Sequence, residues 1–240
     1  MVTASSRVTE ILAAVFADSG TGGTSAELLV ALCVRDVAVT GVGLALMTDQ
    51  GPAGTVAATD GGARRLEELQ FAFGEGPCVD ASTAGRPVLV PDLTERGPPR
   101  WAEFLPAVLA AGLRAVFAFP LQVGGIRLGV LDLYDDSPGV LSREQVAEAF
   151  SFADAATLLL LHLQAEDSAH RSPPLPLAVL DDRAEVHQAT GVVSVRAGVS
   201  LGRALLLLRA RAYAEGRSLG ELARAVLDGV VDLGEEQDHR

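Results

Sequence analysis

Lysine is absent from this sequence: all 19 basic residues are arginine. With the high alanine and valine content, this reads as the codon bias of a GC-rich genome. It also leaves every cationic role to guanidinium, whose planar fork suits phosphates and bases. Cysteine is scarce, and Cys33 and Cys78 cannot build a disulfide framework or a four-thiolate zinc site. The four histidines, 162, 170, 187 and 239, show no ligand spacing, so neither a metal centre nor a haem is expected. No phosphate loop, G-x-S-x-G elbow or H-E-x-x-H stretch occurs, and the chain is expected not to be an enzyme and to need no cofactor. No signal-peptide pattern opens it. The most apolar run, Ala155 to Leu163, is about half of the ~20 residues a bilayer requires. The expectation is a soluble cytoplasmic protein with no membrane partner. The net charge of −12 argues against indiscriminate nucleic-acid binding. What is present is enough for a fold: 240 residues, 49% hydrophobic, room for one large or two smaller cores.

The punctuation predicts two domains. Residues 166–182 hold Ser168, Ser172, Pro173, Pro174 and Pro176 with no sustained period, and read as a linker. Residues 1–23 form an N-terminal helical extension, with a short helix over Ser6 to Phe16. Residues 24–165 mix helix and strand signals. A helix is predicted over Ser25 to Ala38, then a strand pair, Val39 to Met47 and Thr55 to Thr59, joined across a turn at 49–54. A helix over Ala63 to Ala72 ends in Gly74-Glu75-Gly76-Pro77. A short strand at Pro87 to Pro91 and a helix at Trp101 to Ala111 follow. Gly124-Gly125 then separates two strands, Ala115 to Val123 and Arg127 to Tyr134. A long helix opens at Ser142 with the capping box Ser142-Arg143-Glu144-Gln145 and runs to about Ala165. Strands joined by tight turns imply an antiparallel sheet with helices on it, an α+β class.

Within that region Gly74-Glu75-Gly76-Pro77-Cys78, Pro91-Asp92-Leu93, Phe119-Pro120-Leu121 and Gly129-Val130-Leu131-Asp132-Leu133 resemble a GAF domain, over about Thr24 to Ala165. The resemblance implies a regulatory input, with an unidentified small molecule as a candidate ligand. Cys78 stands where a redox or adduct-forming thiol is conceivable, but a lone cysteine without a nearby histidine reads more readily as packing. Cys33 lies in an apolar helical stripe and reads as core. The pair Asp135-Asp136 suits a turn cap and lacks the third ligand of a metal site.

Charge is segregated along the chain. Residues 183–228 hold seven arginines against four carboxylates, a net +3, which leaves −15 for the rest. Residues 183–233 predict three amphipathic helices: about Arg183 to Arg196; one opening at the N-cap Ser200 with Leu201, Ala204, Leu205, Leu208 and Ala212 inward; and one opening at the Ser218/Glu221 capping box. Residues 234–240 read as a solvated acidic tail. On the second helix Arg209 and Tyr213 fall four apart, off the core stripe. Spacing alone leaves two readings: a guanidinium and ring that grip phosphate and stack a base, or a ring covering a neighbouring helix beside a solvated arginine.

The segment Gln188-Ala189-Thr190-Gly191-Val192-Val193, with Ser200, Ala204, Leu208-Arg209, Ala212 and Leu222-Ala223, resembles the ANTAR domain, a three-helix RNA-binding module of bacterial antiterminators, over about Arg183 to Leu227. GAF followed by ANTAR is a familiar combination. The resemblance implies binding to stem-loops of nascent RNA that keeps a terminator hairpin from forming. By position, Ala189 and Gly191 match the small residues of the first helix, and Arg209 with Ala212 the signature of the second. Thr190 stands where the family usually has lysine, and Arg196 is a candidate replacement cation. The expected RNA-binding set is Ala189, Thr190, Gly191, Arg209, Ala212, Tyr213 and Arg217.

The long helix carries Val146, Ala149, Phe150, Ala153, Ala156, Leu160 and Leu163 at helical steps, a seam that either pairs with its copy in a homodimer or covers the sheet. Two alternatives to RNA stand. Gly216-Arg217-Ser218-Leu219-Gly220-Glu221-Leu222-Ala223-Arg224 looks like a helix-turn-helix that would bind DNA. The helical module would otherwise be a signalling part that binds protein alone.

Overall fold

The structure, a computed structural model, describes residues 4–18, 23–48, 51–95, 98–169 and 183–233. It divides into two compact units, Met1–Val179 and Leu180–Arg240. The tail at 234–240 and all of the proposed linker beyond Ala169 lie outside the described residues.

The first unit is α+β, built on a five-stranded antiparallel sheet of order β2-β1-β5-β4-β3. The strands are β1 (Gly41–Thr48), β2 (Gly51–Ala58), β3 (Val88–Val90), β4 (Ala115–Val123) and β5 (Ile126–Asp135). β4 and β5 form the predicted hairpin, with Val123 opposite Ile126 and Gly124 at φ +59°, a conformation glycine adopts without strain. Because side chains alternate along a strand, the sheet has two interiors. Val42, Leu44, Phe117, Phe119, Leu131 and Leu133 face α1 (Ala4–Asp18), α2 (Ser25–Val37) and α6 (Arg143–Ala169). Val116, Ala118, Val130 and Tyr134 face α3 (Gly61–Phe73), α4 (Pro77–Ala84) and α5 (Phe104–Ala110).

α1 is integral to this unit. Val8, Ile11 and Val15 are buried in the first interior, and Arg7 reaches Asp36 on α2 (2.8 Å) and Glu148 on α6 (Nε at 2.8 Å). The neighbouring Arg35 and Arg7 hold the Asp36 carboxyl below the usual range. α6 begins at its predicted capping box: the Ser142 N–H donates to Gln145 Oε1 (2.9 Å) and the Gln145 N–H to Ser142 Oγ (3.2 Å). By length and composition Arg143–Ala165 is enough to cross a bilayer, longer than the short apolar run suggests. Its apolar residues have another use, since Ala149, Phe152, Ala156, Leu159 and Leu160 are wholly buried in the first interior.

The same burial corrects the expected dimer seam. Ala149, Ala153, Ala156 and Leu160 pack inside their own chain, because α6 turns them toward β4, β5 and α2. The large apolar residues of α6 that stay exposed, among its described side chains, are Phe150, Leu158 and Leu161.

Two local expectations are also corrected. The helix predicted for 101–111 is a 3-10 turn at Pro99–Trp101 followed by α5, and α4, eight residues opened by Pro77, follows the Gly-Glu-Gly turn directly. Glu75 explains the break: Oε2 accepts the N–H groups of Glu103 and Phe104, both at 3.1 Å, and so caps α5 from a distant loop.

Candidate nucleic-acid interface

The second unit contains α7 (Ala184–Ala197), α8 (Leu201–Glu215) and α9 (Leu219–Leu227). Gly198 and Gly216 close α7 and α8 in the left-handed conformation. Ser200 then caps α8 by accepting the Arg203 N–H, and Ser218 and Glu221 form the predicted reciprocal box that opens α9. The interior is small, with Val186, Ala189, Val193, Ala204, Leu208, Ala212, Leu222, Ala223 and Val226 at 5% exposure or less.

The structure separates the expected RNA-binding residues. Ala189, Thr190 and Ala212 are buried, so the expectation that their side chains meet RNA is corrected: they are the small residues that let the three helices approach. Thr190, at the lysine position, donates its hydroxyl to the Val186 carbonyl at 2.7 Å and seals into its own helix. Gly191 lies on the outer side of α7, where a Cβ would meet open space. Arg209 is half-buried; burial, and then the positive charge of Arg183, push its guanidinium down to about 10. Arg217 donates to Glu215 Oε2 (3.1 Å) and the Glu221 carbonyl (2.9 Å). Arg211 shares Glu215 at 2.5 Å, and the two guanidinium bonds hold that carboxyl low. Arg196, the suggested replacement cation, lies 3.8 Å from Asp232.

Tyr213 is the outlier. It is 66% exposed, and at about 100° per residue it falls off the core stripe of α8, on the same side as Leu206, which is 52% exposed. This excludes the reading in which the ring covers a neighbouring helix of its own bundle. Arg203 flanks the same face. Its guanidinium is exposed and makes no ion pair among the described residues, a residue the sequence reading passed over. Tyr213 lies ten helical steps further on, about 15 Å. The signal that would have found it is the absence of an acid three or four residues away, which Arg211 has in Glu215.

The first unit holds a cavity of about 410 Å³ against the edge strand β3, lined by Arg86, Val88, Leu89, Arg100, Trp101 and Leu105 among others. That volume is within the ordinary range for small-molecule sites. Arg100 is held by Asp80 (Nε–Oδ1 2.9 Å) and lies 5.8 Å over the Trp101 ring. Among the described residues, Trp101 Nε1 is buried without a hydrogen-bond acceptor, and Arg86 is exposed with no ion pair. Cys33 and Cys78 are both wholly buried, and burial pushes the Cys33 thiol far up. His162, exposed on α6, packs edge-on against Phe16 at 5.6 Å. Asp135 accepts the Thr40 N–H (2.8 Å) and hydroxyl (3.0 Å), so it ties the end of β5 to the segment before β1, 95 residues away, instead of capping the turn that follows its own strand. Among the described residues no three His, Cys, Asp or Glu side chains are grouped to hold a metal ion.

Comparison with known proteins gives two family matches: the GAF domain over residues 25–160 and the ANTAR domain over residues 178–227. Among solved structures, the chain is similar to the GAF domain of a phosphoenolpyruvate-protein phosphotransferase from Coxiella burnetii (16% identity, 69% of this chain and 99% of that one, TM-score 0.48). It is also similar to the GAF domain of the phosphoenolpyruvate-protein phosphotransferase from Acinetobacter (12%, 67% and 97%, TM-score 0.49). A third is a free methionine-R-sulfoxide reductase from Neisseria meningitidis, solved with its substrate (17%, 69% and 91%, TM-score 0.44). No curated protein matches the chain.

Proposed function

The chain belongs to the GAF domain family and carries an ANTAR domain over residues 178–227, and on that premise we propose that it is a cytoplasmic RNA-binding antiterminator. Its sensor domain controls a three-helix module that binds stem-loops in nascent RNA. The observation that carries this reading is the outer face of α8. An aromatic ring exposed to 66% on the basic module can stack an unpaired loop base, and Arg203, about 15 Å along α8, can meet a phosphate further along the strand. Gly191 adds a place on α7 where another backbone can come close. The DNA alternative has less to work with: in α9, Glu221 is engaged by Ser218, and Arg224 by Glu185 at 2.8 Å.

The sensor side of the proposal is a small molecule in the cavity beside β3, with Trp101 Nε1 and Arg86 as donors for its acceptor groups. No catalytic step is assigned to it. The molecule acts as a homodimer, through the apolar residues that α1 and α6 leave exposed, and so presents two modules to two RNA loops.

The test is a mobility-shift titration against a two-hairpin RNA leader and the corresponding duplex DNA, at two salt concentrations. Wild type is compared with Tyr213→Ala, Arg203→Ala and Arg209→Ala. RNA-selective binding is expected, weakened about tenfold or more by Tyr213→Ala, since stacking contributes about 1–3 kcal/mol per base. Arg203→Ala should lower the salt dependence as one phosphate contact is lost. Binding to DNA alone, or to neither in both salts, overturns the reading.

A further inference from the structure

The sheet ends at β3. This strand pairs with β4 alone, and among the described residues the backbone of Val88, Leu89 and Val90 makes no hydrogen bond to anything else. The outward N–H and C=O groups of an edge strand are a template for one more strand. Pro87 and Pro91 bracket the three residues, and neither has an N–H to offer. The Pro91 carbonyl is already taken by the Gly139 N–H at 2.8 Å. The edge that stays open is three residues long, about 10 Å at about 3.3 Å per residue, too short for a second sheet to dock on. The cavity of about 410 Å³ lies along it, walled by every residue from Arg86 to Leu93.

The charged groups of that wall divide into committed and uncommitted ones. Arg100 and Asp80 hold each other, with Nε 2.9 Å from Oδ1 and 3.0 Å from Oδ2. Asp92 accepts the Thr94 N–H (2.8 Å) and hydroxyl (2.6 Å). Arg86 and Glu95 are exposed and make no ion pair among the described residues. One uncommitted cation thus stands before the start of β3 and one uncommitted anion after its end, both on the same cavity. Trp101, 3% exposed, adds a donor without an acceptor to the wall, and Leu89 and Leu105 add apolar surface. A ligand with one charge serves one end and leaves the other unmatched. A ligand that carries both, held apart by an extended body, serves the two together.

We propose that the cavity takes a free peptide of about three residues, added to β3 as a further antiparallel strand, with its carboxylate at Arg86 and its ammonium group at Glu95. The peptide is then the small molecule of the proposed sensor site, and its identification rests on that reading. Its direction follows from the charges. The carboxylate end lies at the start of β3 and the amino end beyond the finish, so the two chains run opposite ways. Main-chain hydrogen bonds to Val88, Leu89 and Val90 give affinity without regard to sequence, and alternate side chains meet the wall at Trp101 and Leu105. The two prolines and the two charges set the length. A single free amino acid spans about 3 Å of a strand, too little to reach both ends of the open edge.

The experiment titrates the full chain with alanyl-leucyl-alanine. It is followed by the fluorescence of the sole tryptophan, Trp101, and by hydrogen exchange at the Val88, Leu89 and Val90 amides. The N-acetylated peptide, the C-terminally amidated peptide, free leucine and isovalerate are the comparison probes. The free tripeptide should shift Trp101 emission and protect at least one β3 amide. Acetylation and amidation should each weaken binding about tenfold or more, the range for losing a hydrogen bond to a charged group. Arg86→Gln should weaken the free peptide to the same degree and leave the amidated one unchanged. Glu95→Gln should weaken the free peptide likewise and leave the acetylated one unchanged. Both side chains are exposed, so the variants should unfold in urea at the wild-type midpoint. Tripeptide binding that is indifferent to both caps, or variants that weaken capped and free peptides alike, overturns the proposal. Binding of leucine or isovalerate without binding of the tripeptide overturns the peptide and keeps the cavity as a small-molecule site. No response to any probe overturns the peptide as well, while the RNA titration, which involves none of these probes, still decides the antiterminator reading.

Discussion

Glycine inside a helix costs about 1 kcal/mol relative to alanine, and Gly191 in α7 incurs that cost where a Cβ would touch nothing among the described residues. Packing within the bundle does not explain it; in the proposed RNA complex, close approach by an external backbone would. Gly191→Ala is therefore expected to stabilise the helical module by about 0.5–1 kcal/mol while weakening RNA binding. Thermal unfolding and the mobility shift, run on one preparation, check both directions, and a variant that gains stability and keeps its affinity removes Gly191 from the interface. Gly43 is the opposite case. A Cβ there collides with Glu67 and the backbone of β1 cannot retreat from β5, so Gly43→Ala should destabilise the sensor unit by about 1–3 kcal/mol in urea unfolding. Sequence marked both residues as glycine and distinguished neither. Gly191 came from a family likeness, and the crowding at Gly43 comes from a helix residue 24 positions away, which no local pattern reports.

The helices whose starts are local were legible. Ser142/Gln145 and Ser218/Glu221 are capping boxes in the sequence and in the structure, because both halves lie within four residues. α4 and the break before α5 were not legible. α4 is short and lacks a sustained apolar period, and the cap of α5 is Glu75, 28 and 29 residues from the N–H groups it accepts. The Gly74-Glu75-Gly76-Pro77 turn, read from sequence as a helix terminus and as part of the GAF resemblance, thus holds a carboxylate at the head of another helix. Glu75→Ala should cost about 1–2 kcal/mol, the range for removing an N-cap, and Glu75→Gln less, since the amide oxygen still accepts. Trp101 fluorescence during urea unfolding is a suitable readout, because the ring packs edge-on against Phe104 at 5.9 Å in the element Glu75 caps. Equal stability of Glu75→Ala and wild type would mean that water serves those two N–H groups as well as the carboxylate does.

At the scale of the whole molecule, the question is what α6 does with the apolar side chains its own core leaves out. Sequence periodicity identified the helix and an apolar seam, but an α-helix with more than one apolar face does not say which face the sheet takes. The sheet takes Ala149, Ala153, Ala156 and Leu160, three alanines that admit close packing on β4 and β5 and a leucine that fills the space beside them. Phe150, Leu158 and Leu161 stay 45%, 49% and 37% exposed, with Phe16 of α1 at 45%. Phe150, Leu158 and Leu161 follow one another at helical steps on one side of α6, and Leu12, Phe16, Leu158 and His162 line an apolar groove beside them. A second copy of the same face is the partner that fits the proposed two-loop RNA target, since linking two modules multiplies affinity without new contacts. Leu158→Asp, which touches none of the RNA-facing residues, should convert a dimer at micromolar concentration into a monomer by light scattering. It should also lower affinity for a two-hairpin leader by about a hundredfold, within the range for lost avidity, while affinity for a single hairpin is unchanged. A wild-type monomer at that concentration, or equal losses on one and two hairpins, would leave α6 as a wall of the sensor core and remove the dimer from the proposed mechanism.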